Sequence, residues 1–158
     1  RRCASAVLPR AVGAARDDRR RAEGNTVSGE PPATTPYQRL GGNAAVRTLV
    51  DRFYDLMDLE PDYTDLRRAH GSDLTDARDK LYWYLSGWLG GPSLYVERFG
   101  HPRLRARHLP FPIATTERDQ WLACMRMALD DVKTPAPLAD ALMDALFGTA
   151  DWMRNREG

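Results

Sequence analysis

His101-Pro102-Arg103-Leu104-Arg105-Ala106-Arg107-His108-Leu109-Pro110-Phe111-Pro112-Ile113 is the stretch that decides how this 158-residue chain is read. Pro110 and Pro112 end any helix that reaches them, because proline has no amide hydrogen to donate and its ring clashes with the preceding turn. His108 therefore falls on the last turn of a helix, on the face of Leu104 four residues earlier. An imidazole held there can offer one nitrogen to a metal while the other donates to a backbone carbonyl. The same placement also suits a capping or hydrogen-bonded core histidine, and one imidazole lacks the specificity of a multi-ligand metal pattern. His101, beside Pro102 in an irregular segment, reads as a surface or loop-fixing residue.

Outward from this stretch the pattern is helical. Val46, Leu49, Val50, Phe53 and Met57 follow the 3.6-residue period and predict a long helix over 43–59, with Gly41-Gly42 allowing a sharp corner before it. Residues 60–68 read as a short irregular helical turn. A helix starting near Ser72-Asp73 carries Leu74, Ala77, Leu81, Tyr84, Leu85 and Trp88 on one face and stops at Gly90-Gly91-Pro92. One or two short turns fill 93–108. Thr115 or Thr116 is expected to cap the next helix, with Trp121, Met125, Ala128, Leu129 and Val132 on its face. Pro135 and Pro137 then break the chain, and a last helix buries Leu138, Leu142, Ala145, Leu146 and Met153. No alternating strand pattern, hairpin signal or internal repeat is present, so the fold class is all-α.

Composition narrows the function classes. Hydrophobic residues make up 42% of the chain, enough for a core in one domain. The first 35 residues carry seven arginines against four acids, whereas the remainder has 16 basic and 18 acidic residues. The larger part thus lacks the basic footprint of a nucleic-acid binder. Residues 1–35 read as a disordered Arg/Ala/Pro-rich tail. Asp17, Asp18, Glu23 and Glu30 count against an organellar transit peptide, and Arg19-Arg20-Arg21 reads as a solvated charge run. Cys3 and Cys124 are not expected to pair, which suits a reducing cytoplasm. No apolar run approaches a membrane span.

Three runs, Leu89-Gly90-Gly91-Pro92-Ser93-Leu94-Tyr95, Gly100-His101-Pro102 and Leu104-Arg105-Ala106-Arg107-His108-Leu109-Pro110-Phe111-Pro112-Ile113, together resemble the group II truncated haemoglobins. The resemblance covers about Pro36 to Trp152. It implies a two-over-two helical sandwich around haem in a globin domain at 36–158, with haem b as cofactor and His108 as the iron ligand. It also implies that Tyr54, following Phe53, and Trp121 donate hydrogen bonds to bound gas, although by periodicity alone both read as core. His70 falls at a distal position often held by an aromatic. Facing the iron it could tune ligand affinity, and facing outward it would cap a loop.

The helix after His70 presents Ala77 and Leu81 as apolar wall, and Tyr84 one turn on is expected against the macrocycle. Lys80, Arg107 and Tyr95 are expected near the haem carboxylates, each with an ordinary surface role as alternative. Cys124 reads as a small core hydrophobe. The implied function is reversible binding of dioxygen, with nitric oxide and carbon monoxide as further ligands, in a cytoplasmic monomer or homodimer. Two other readings stand beside it. One is a haem enzyme acting on nitric oxide or peroxide, which needs an external electron donor. The other is a helical partner-binding module without haem.

Overall fold

The computed structural model describes residues 34–157, so the expected tail lies outside the described residues except for Thr34 and Thr35. Eight helices follow in order: α1 (Pro36–Leu40), α2 (Gly42–Leu59), α3 (Thr64–Arg68), α4 (Thr75–Trp88), α5 (Leu94–Phe99), α6 (Leu104–His108), α7 (Thr115–Asp131) and α8 (Ala136–Met153). A single 3-10 turn, Pro61–Tyr63, sits between α2 and α3. No strand occurs among the described residues, and no helix there is long and apolar enough to cross a membrane.

α2 is the central element. Its buried stripe of Val46, Leu49, Val50, Phe53, Leu56 and Met57 follows the spacing of one helix face. That stripe meets Cys124, Met125, Ala128 and Leu129 of α7 in one cluster, which continues into Leu138, Ala139, Leu142 and Leu146 of α8. Each buried Leu or Phe contributes roughly 1.5–3 kcal/mol of transfer free energy. α2 lies on α4 as well as on α7, and α7 lies on α8, so two helix pairs form two layers. Ion pairs lock the pairing register. Arg47 reaches Asp79 at 2.7 Å and Arg78 reaches Asp55 at 2.6 Å between α2 and α4, while Arg52 reaches Asp131 at 2.6 Å between α2 and the end of α7. These pairs are partly exposed, so each contributes less than about 1 kcal/mol and the apolar seam carries the stability.

The helix ends differ from expectation in four places. α1 is an added helix, started by Thr35, whose hydroxyl accepts from Gln38 N while the Gln38 side chain accepts from Thr35 N. α4 begins at Thr75 rather than Ser72, because Asp73 turns back to accept from Thr75 N at 2.8 Å and holds the chain outside the helix. α7 is capped at Ala114, not at a threonine hydroxyl, since Glu117 reaches back to accept from Ala114 N at 2.8 Å. Pro137 starts α8 instead of breaking the chain, as a first-turn amide has no helical acceptor. Ala145 is exposed, and Ala139 is the buried alanine.

Gly41 (φ 114°) and Gly42 (φ 77°) make the expected corner between α1 and α2 in a region costly for other residues. Gly91 is needed for a different reason. A Cβ there would lie 2.4 Å from the Tyr37 ring, which is held in place as Tyr37 N donates to Leu89 O at 2.9 Å. Gly91→Ala is expected to cost about 1–3 kcal/mol through this overpacking, read as a lower urea midpoint at unchanged slope.

Candidate functional site

α6 presents His108 as the sequence predicts. Its Nδ1 lies 2.7 Å from Leu104 O, and because a carbonyl can only accept, Nδ1 carries the hydrogen, which in the neutral ring leaves Nε2 with its lone pair. His70, just after α3, repeats the device, with Nδ1 2.9 Å from Leu66 O. Two histidines thus share one tautomer, each with Nε2 available. Burial is the main cause that holds the His70 imidazole below its ordinary value, and the nearby Arg67 guanidinium and the His108 ring add to it against the Leu66 carbonyl. His70 is therefore neutral at pH 7.

Tyr54 stands beside His70, and Phe53 links it to Trp121. The Tyr54 ring meets His70 edge-on at 5.9 Å and Phe53 at 5.0 Å, and Phe53 in turn meets Trp121 at 5.3 Å. Burial pushes the Tyr54 phenol well above the usual tyrosine range, which the Arg78 guanidinium 5.6 Å from its ring only partly opposes. Tyr54 is thus a hydroxyl donor at every physiological pH. Among the described residues neither its hydroxyl nor the Trp121 indole N–H has a hydrogen-bond partner. Neither atom is among the fully enclosed polar atoms without a hydrogen bond, which among the described residues are Thr134 Oγ1 and Arg154 Nε, so both donors around Phe53 reach open space where a ligand can meet them.

On α4, Ala77, Leu81, Tyr84 and Trp88 recur at helical spacing yet are only partly buried, in contrast to the fully buried face of α2. Tyr84 meets the buried Tyr95 of α5 edge-on at 6.4 Å. A cavity of about 220 Å³ lies between these helices, lined by Tyr84, Trp88, Tyr95 and Pro102 among others. Arg107 donates from Nε to Pro102 O at 3.0 Å and lies 5.7 Å from the Tyr95 ring, with no carboxylate partner among the described residues. Lys80 has a partner of its own. It is bonded to Asp76 at 2.6 Å along the exposed side of α4 and would have to exchange that partner to reach a ligand. His101 serves the loop, accepting from Arg103 N at 3.1 Å.

Two positioning residues have no sequence signal. Gln120 of α7 accepts from Leu66 N at 2.8 Å and donates to Asp65 at 3.2 Å, which fixes α3 beneath His70. Asn155 bonds the turn that follows His108. Cys124 lends no chemistry, being buried with its thiol pushed up to about 12 and directed at Phe53 O.

The family model for bacterial-like globins matches residues 35–155. A group 2 truncated haemoglobin from Bacillus subtilis is 41% identical over 121 residues, which is 77% of this chain and 89% of the relative. The chain belongs to the group II truncated haemoglobins. Solved globin structures agree. The group II two-on-two haemoglobin from Agrobacterium tumefaciens superimposes with a TM-score of 0.77 at 42% identity, covering 82% of this chain and 99% of that one. The truncated oxygen-avid haemoglobin from B. subtilis gives 0.70 at 41% identity, over 77% and 99%. The layers formed by α2 with α4 and α7 with α8 are therefore the two-over-two globin sandwich.

Globins of this family are haem proteins, and the residues present fit that group. The free Nε2 of His108, the unpaired donors of Tyr54 and Trp121 and the half-buried apolar face of α4 are what such a guest requires. No three His, Cys, Asp or Glu side chains converge on one point among the described residues. A metal at His108 must therefore bring its other ligands with it.

Lowered proton affinity at His70 gives a signed prediction. The unfolded chain binds the proton more readily, so the stability is complete above about pH 6.5 and falls as pH drops through the lower folded-state value. In urea unfolding between pH 7.5 and 5.5, His70→Phe is expected to flatten this part of the decline. A wild-type slope in the variant would show that another group causes it.

Proposed function

We propose that this globin holds haem b through His108 and binds dioxygen reversibly, with nitric oxide and carbon monoxide as further ligands, in the cytoplasm. The observation that carries the reading is the pairing of a free His108 Nε2 with two unpartnered donors, Tyr54 and Trp121, near a neutral His70. Bound there, haem would supply an iron that His108 holds and at which a diatomic gas could bind.

The chain's own groups do the rest. His108 is oriented by the Leu104 carbonyl, which fixes its tautomer and makes its free nitrogen more basic. Tyr54 and Trp121 donate hydrogen bonds to the ligand, which stabilises negative charge developing on it. His70 adds a neutral ring with a free Nε2 at the same wall. Ala77 and Leu81 provide apolar surface without a donor, and Tyr84 packs along the flat face. Arg107, which has no acid partner among the described residues, would pair with a haem carboxylate beside Tyr95, and Lys80 would do so on leaving Asp76. Titration of the haem-free chain tests the reading, with a sharp endpoint at one haem per chain expected. Uptake without an endpoint would sink it.

A further inference from the structure

The geometry points to Asn155 as the residue that positions His108, an inference that rests on the haem reading above. α6 is five residues long and has no buried residue. It starts from Arg103 in a left-handed conformation (φ 46°, ψ 46°), a costly entry for a side chain with a Cβ. A helix of this kind cannot fix a ligand by packing into a core.

Asn155, two residues beyond α8, supplies the missing constraint. Its Nδ2 donates to His108 O at 3.1 Å and to Phe111 O at 2.9 Å, and its Oδ1 accepts from Ile113 N at 3.2 Å. Its own backbone N donates to Ile113 O at 2.9 Å. His108 O already accepts from Phe111 N at 3.0 Å, but Pro110 and Pro112 have no N–H, so the turn offers few further local donors and Phe111 O depends on Asn155. A planar amide with two donors and an acceptor matches that need, and the chemistry of the three partners fixes which end of the amide is which.

Arg105 reinforces the clamp by donating to the carbonyls of Trp152 and Arg154. α8 is itself anchored by Leu138, Leu142 and Leu146. Asn155 thereby transmits the rigidity of the core to His108, while Leu104 O sets the ring.

The test compares Asn155→Ala, Asn155→Asp and Leu146→Ala. The aspartate retains an acceptor for Ile113 N but offers the two carbonyls no donor. Leu146→Ala weakens α8 without touching the turn. Two readouts apply: the His108 ring signal in NMR of the haem-free full-length chain, and the iron–histidine stretching band with the haem-loss rate of the ferrous holoprotein. Both Asn155 variants are expected to shift and broaden the ring signal and the band, and to speed haem loss roughly tenfold. Leu146→Ala lowers stability but, with the Asn155 amide and its three partners intact, moves both signals much less than either Asn155 variant.

An unmoved His108 signal in Asn155→Ala, wild-type behaviour in Asn155→Asp, or an equal shift in Leu146→Ala would each overturn the positioning role. A wild-type holoprotein without an iron–histidine band would instead overturn ligation by His108, while the NMR comparison still decides the clamp.

Discussion

Replacing His108 by glycine is expected to abolish stable haem retention, and added imidazole is expected to restore it. No other side chain in the proximal segment can take over. His101 is exposed and serves its own loop through Nδ1, while Arg105 and Arg107 are cations without a lone pair to give. Loss of the ligand itself should exceed the roughly 10–100-fold weakening seen when only a ligand's hydrogen-bond partner is removed. Glycine leaves a gap of imidazole shape, and the tautomer preference set by Leu104 O remains available to a free imidazole. Haem transfer to an acceptor protein measures the effect. Retention at the wild-type rate would show that His108 is not the ligand.

Tyr54→Phe is the second large effect, because it removes one hydroxyl and nothing else. The phenyl ring keeps its contacts with Phe53 and His70. A hydrogen bond to a partly charged ligand contributes about 1.5–3 kcal/mol, so dioxygen should leave roughly 10- to 100-fold faster. Carbon monoxide carries less charge and should respond much less. Folding stability should hold or rise, since the hydroxyl has no protein partner to lose. Flash or stopped-flow release rates for the two gases check this. Equal acceleration of both would indicate a steric change in place of a lost hydrogen bond.

What the sequence made legible was what is local. His108 and Leu104 are four residues apart, so the helix period and the two prolines suffice to place the ring against a carbonyl. The α2 face was equally readable, because its partners impose only apolarity on a regular spacing. Caps were less so. Two threonines stand at the start of α7, yet the carboxylate of Glu117 reaches the Ala114 amide first and moves the cap by one residue. Ala145 and Ala139 are chemically alike, and only the direction from which α7 approaches α8 decides which is covered.

Lys80 bonds Asp76, a partner one turn earlier that the apolar spacing around it does not announce. Gln120 and Asn155 are invisible along the chain because their partners lie 42 to 55 residues away. A lone amide gives no periodic or motif signal, and its role exists only once α7 meets α3, for Gln120, or the ends of α6 and α8 meet, for Asn155.

The most direct test of the central claim is a gas-exchange cycle on the ferrous haem-loaded chain, followed by absorption. Reversible dioxygen binding at His108-ligated haem predicts a Soret shift on adding dioxygen, its reversal under argon, and a distinct shift with carbon monoxide, repeated over several cycles. Immediate conversion to the ferric form on first contact with dioxygen, with no recoverable ferrous spectrum, would contradict it.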